Sequence, residues 1–91
     1  MKFKNWNCKV HKGTYPNGRT AIQLYDAEIG DPIATATVNI PDEPLPDNHV
    51  FIKNWSENEG ILDSLVEADY VKPTGRTVNT GYVTAIEAEL L

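Results

Sequence analysis

The chain has 91 residues, a formal net charge of −5 and 41% apolar residues, which predicts a single domain over residues 1–91 with a modest core and argues against disorder. No apolar run reaches the ~20 residues a membrane span needs. The opening MKFKNWNCKV has no apolar stretch of the secretory kind, and one cysteine, Cys8, rules out an internal disulfide and points to a reducing, cytoplasmic setting.

Charge is distributed unevenly along the chain. The first 24 residues carry Lys2, Lys4, Lys9, Lys12 and Arg19 and no carboxylate, a formal +5. The remainder carries all 13 carboxylates against Lys53, Lys72 and Arg76, a formal −10.

Residues 3–14 alternate loosely, with Trp6, Cys8 and Val10 on one face, and predict a half-buried strand. Tyr15-Pro16-Asn17-Gly18-Arg19 is a hairpin turn signal, and residues 19–26 are the returning strand. A second turn spans Glu28 to Pro32. Residues 33–40 read as a third strand, with Ala34, Ala36, Val38 and Ile40 on one face. Three prolines make residues 41–48 an acidic surface loop, followed by a short apolar strand at Val50, Phe51 and Ile52.

Ser56-Glu57-Asn58-Glu59 has the form of a capping box and predicts a helix over 57–69. Ile61, Leu62, Leu65 and Val66 fall on its apolar face. Gly60 is expected to permit close packing on the sheet. Thr74-Gly75 predicts a turn, Arg76 to Asn79 a short strand, and residues 82–90 the last strand. On that strand Ile86, Ala88 and Leu90 share one face, and Glu87 and Glu89 the other, which a single helix leaves partly wet and where the two carboxylates can join those of loop 42–47 and the helix exterior in a negative face. The predicted architecture is α+β: one antiparallel sheet of five to six strands with one α-helix on one face.

Catalytic chemistry finds little footing. Cys8 and His11 are three apart on a strand, so they face opposite ways. One Cys and two distant His residues do not make a metal site, and no glycine pattern cradles phosphate. The expectation is a non-enzymatic protein without cofactor or metal. Three kinds of binding remain open. Acidic side chains at Asp42, Glu43, Asp47, Glu57, Glu59, Asp63 and Glu67 suit a basic protein surface, such as the groove of a nucleic-acid-processing enzyme. Arg19, Trp55, Arg76 and Tyr82 have the chemistry to rim a nucleotide pocket. The lysines of the N-terminal hairpin, interleaved with Trp6 and Tyr15, suit nucleic acid. Membrane binding is not expected.

Four segments in order, Asn17 to Leu24, Pro32 to Asn39, Ile52 to Gly60 and Thr74-Gly75-Arg76, resemble a family of small proteins of phages and other mobile elements, a domain of unknown function. The resemblance runs over roughly residues 15–83 and carries no catalytic motif. It implies an accessory protein that binds and inhibits a host defence protein, as anti-CRISPR and antirestriction proteins do. Within that expectation the acidic loop and helix exterior form the contact surface, and the basic strands serve as local counter-charge.

Overall fold

In the computed structural model, which describes residues 1–91, seven strands frame one 3-10 turn and one short helix. β1 (Lys2–Phe3) and β2 (Trp6–Thr14) form a tight hairpin whose turn holds Lys4 at φ 52°. β3 (Thr20–Asp26) returns from the Gly18 turn, and β4 (Pro32–Thr35) pairs with it. These four make one antiparallel sheet in the order β1-β2-β3-β4. β5 (His49–Ile52), β6 (Val71–Asn79) and β7 (Thr84–Leu90) make a second, in the order β5-β7-β6.

The α+β class is therefore as predicted, but the single sheet is replaced by two. The reason lies in residues 36–38. The predicted strand 33–40 ends as a ladder at Thr35, and the chain then crosses between sheets. Ala36 still donates to the Ile22 carbonyl at 2.8 Å, while its own carbonyl accepts from Lys53 at 2.8 Å. Val38 donates to Phe51 at 3.0 Å, and Thr37 forms an isolated bridge to Ile52. Small side chains suit this seam: Ala36 and Thr37 are both buried there.

The helix also differs from its prediction. Ser56–Asn58 is a 3-10 turn, and α1 covers only Ile61–Glu67. Ser56 sits at φ 54°, not in the extended region a capping residue needs, and its hydroxyl makes no cap hydrogen bond. Glu59 instead donates its amide to the Ser56 carbonyl at 3.1 Å. Gly60 adopts φ 90° and breaks the two turns apart. No atom lies within 4 Å of where its Cβ would stand, so backbone conformation and not close packing selects glycine here. The amide of Leu62 is satisfied by Asn54 Oδ1 at 3.0 Å, a cap delivered from eight residues upstream.

At the C-terminal end, the turn expected at Thr74-Gly75 lies inside β6 as an irregularity, where pairing with β7 shifts register between Pro73 and Thr77. Gly75 supplies the positive φ that this shift uses, at 92°.

The main core lies between the sheets and under α1. Ile22 and Leu24 from β3 meet Val50 and Ile52 from β5, Ala88 and Leu90 from β7, and Ile61 and Leu65 from α1. Of the predicted apolar face of the helix, Leu62 is half-buried and Val66 exposed, because a helix this short seals only with its inner edge. A second, smaller cluster of Phe51, Val78 and Ala85 sits on the opposite face of the β5-β7-β6 sheet. Val38, Ile40, Leu45 and Trp55 cover it. The proline-rich segment is thus a packed cover for the outer face of that sheet.

Candidate functional site

Alternation along β7 puts Glu87 on the face of Ala85, opposite Phe51 of β5. That face was expected to be wet, with Glu87 part of a negative surface. Loop 41–48 covers it, and Glu87 is only 4% exposed. A buried carboxylate needs partners, and Glu87 has them. Arg76 Nη1 donates to Oε1 at 2.7 Å, and His49 Nδ1 lies 2.8 Å from Oε2. Burial alone pushes this carboxyl up. The hydrogen bonds from Arg76, His49 and Thr74 outweigh it and hold the carboxyl below the ordinary glutamate value.

Both arginines of the chain serve the same loop. Arg19 donates through Nη1 to the Ile40 carbonyl at 2.6 Å and through Nη2 to the Glu43 carbonyl. Arg76 donates to the Pro44 carbonyl at 2.8 Å and to Glu43 Oε2 at 3.2 Å, and its guanidinium lies over the Phe51 ring. Trp55 packs on the same cluster. Three of the four residues with pocket chemistry therefore converge on loop 41–48, with both guanidinium groups engaged in holding it. Tyr82 stands fully exposed at the tip of the β6–β7 turn. No cleft is lined by more than one of Arg19, Trp55, Arg76 and Tyr82.

The seven carboxylates named from the sequence fall into two groups. Asp42, Glu43 and Asp47 ride on the loop that covers the outer face of the β5-β7-β6 sheet, whereas α1 packs on its inner face. Glu43 is paired with Arg76. Glu57 is paired with Lys53 at 2.7 Å, and this hydrogen bond is the leading cause of its lowered pKa. Asp63 and Glu67 lie one helical turn apart on the exposed side of α1, with exposed Glu59 just before it. None of these three has a cation at ion-pair distance.

The basic hairpin reaches this end of the molecule. Lys4 donates to the Glu57 carbonyl at 2.9 Å, and Lys2 and Lys4 share a shallow cleft with Ser64 and Glu67. Cys8 is buried in the main core, and burial raises its thiol pKa. His11 is exposed on the other side of β2, stacked edge-on against Tyr25. No three side chains of metal-binding type are placed to hold one metal ion. No helix is long and apolar enough to cross a membrane.

Sequence reasoning missed the Glu87–Arg76–His49 cluster. Its one readable signal was Leu45 between two prolines, an apolar residue that needs a surface to cover. Comparison of the chain with protein-family profiles, curated proteins and solved structures gives no match.

Proposed function

We propose that this chain is a non-enzymatic binding protein of phage or mobile-element type. In this reading it inhibits a host defence protein of the CRISPR-associated or restriction class by occupying a basic, nucleic-acid-binding groove. The contact surface centres on Glu59, Asp63 and Glu67, with Glu57 at its edge.

The observation that carries the reading is a group of unpaired carboxylates, Glu59, Asp63 and Glu67, on and just before α1, next to charges that the fold already uses. The cations Arg19, Arg76, Lys4 and Lys53 are engaged within the fold, as are Glu43, Glu57 and Glu87. Glu59, Asp63 and Glu67 are exposed and have no ion-pair partner. Asp63 in the first turn of α1 also suits the helix dipole, but exposed carboxylates without partners keep their charge toward solvent, and a basic groove attracts them over a range set by salt. The resemblance of the four sequence segments to small mobile-element proteins supplies the biological class. The test is phage plating on bacterial hosts with and without a defence system while this chain is expressed. The reading expects plating to rise only on defended hosts. Unchanged plating across CRISPR-associated and restriction systems overturns it.

A further inference from the structure

The hydrogen-bond pattern of β2 leaves half of one edge open. The bonds Tyr15 to Arg19 and Ala27 to Asn7 aim the odd-numbered residues of β2 at β3. The even-numbered residues face the other way. Cys8 does so, exchanging both backbone hydrogen bonds with Met1 at 2.7 and 3.0 Å. Beyond Cys8 that edge has no cover: β1 pairs only with Trp6 and Asn7. Val10, Lys12 and Thr14 therefore aim N–H and C=O groups outward, and nothing in residues 1–91 bonds to them.

We propose that this edge, residues 9–14 of β2, binds an extended acidic segment of a partner protein by adding it as a strand beside β1. Charge selects the occupant. Lys9, His11 and Lys12 are exposed along the edge, and none has a carboxylate at ion-pair distance. Lys9 and His11 project on one face and Lys12 on the other, so a strand with carboxylates on both faces meets a cation on each. A second copy pairing through this same edge would bring four lysines and two histidines together with no carboxylate among residues 9–14. Nucleic acid would satisfy the lysines but not the outward carbonyls, which need donors in strand register; a peptide backbone supplies both. Edge lysines also serve in many sheets only to keep edges apart, and the two roles give different results below. The surface is separate from Glu59, Asp63 and Glu67, so it stands or falls independently of the reading above.

The test uses a labelled peptide of repeating Glu-Glu-Val-Val, about eight residues long, which puts carboxylates and valines on both faces of the strand, added to the full chain. Amide hydrogen exchange at Val10, Lys12 and Thr14 is expected to slow about tenfold or more, with peptide affinity falling as salt rises. Lys12→Pro is expected to abolish binding while preserving the fold, because the amide it removes is outside the β2–β3 ladder. The proposal is overturned by no binding at millimolar peptide and low salt, by binding unchanged in Lys12→Pro, or by binding of oligo-dT without binding of the peptide. Self-association of a Lys9→Ser/Lys12→Ser variant that retains peptide affinity also overturns it, since the lysines would then only guard the edge.

Discussion

Arg76 donates a 2.7 Å hydrogen bond to the buried carboxylate of Glu87, and the same nitrogen donates to the Pro44 carbonyl at 2.8 Å. One guanidinium thus neutralises an acid under the proline-rich loop and holds the loop above it. Arg76→Ala is expected to cost about 2–3 kcal/mol, because it strands a buried charge and frees the loop. Urea unfolding of the two proteins measures it. A loss within ~0.5 kcal/mol, the size of an ordinary surface change, would show that loop and acid do not depend on this arginine.

The same carboxylate makes stability depend on pH. Its folded pKa is held below the ordinary 4.5, so its contribution is complete above that value and fades as pH falls through the folded value. The stability gap between the native chain and Glu87→Gln should therefore narrow as pH falls below 4.5. Paired denaturation curves at neutral pH and near pH 3 measure this, and a gap that stays constant or widens on acidification contradicts the assignment.

Helix capping gives a comparison between two neighbouring residues. Asn54→Ala is expected to destabilise by about 1 kcal/mol, the usual worth of a cap. Ser56→Gly should stabilise by up to ~1 kcal/mol, since glycine relieves the positive φ at no cost in capping. Thermal denaturation of both variants checks the pair, and the opposite ranking would restore Ser56 as the cap.

Thr37 holds the seam between the sheets. Its hydroxyl accepts from the Ile22 amide at 3.2 Å and meets the Tyr15 hydroxyl at 2.9 Å. Thr37→Val keeps the shape but leaves the Ile22 amide unpaired in the core, a loss of about 1–3 kcal/mol. Tyr15→Phe removes one bond at a half-buried site and should cost less, with faster Ile22 amide exchange confined to Thr37→Val. Equal losses in the two variants would place the seam elsewhere.

These residues show what the sequence made legible. Period-2 patterning located β2, β3 and β7, a short apolar run located β5, and the Gly18 turn was readable because its glycine is needed at φ 88°. The apolar face of the helix was readable in part, through Ile61 and Leu65. The helix start was not, because the residue types of a capping box do not reveal that Ser56 occupies φ 54°. The number of sheets was not legible either: Ala36 and Thr37 have strand-like character whether they extend one sheet or join two. The wet face assigned to Glu87 failed for a non-local reason, since alternation identifies a face but not what later folds over it. At the candidate site, sequence named Glu59, Asp63 and Glu67 alongside Glu43 and Glu57, and only the fold separates unpaired carboxylates from those that Arg76 and Lys53 hold.

The most direct measurement of the proposed function is DNA cleavage by purified CRISPR-associated and restriction nucleases titrated with this chain. Inhibition is predicted to weaken as salt rises and to fall about tenfold or more, roughly 1.4 kcal/mol, in a Glu59→Lys/Asp63→Lys/Glu67→Lys variant. Lys2→Ala should leave it nearly unchanged. Absence of inhibition, or inhibition indifferent to reversal of those three carboxylates, contradicts the account.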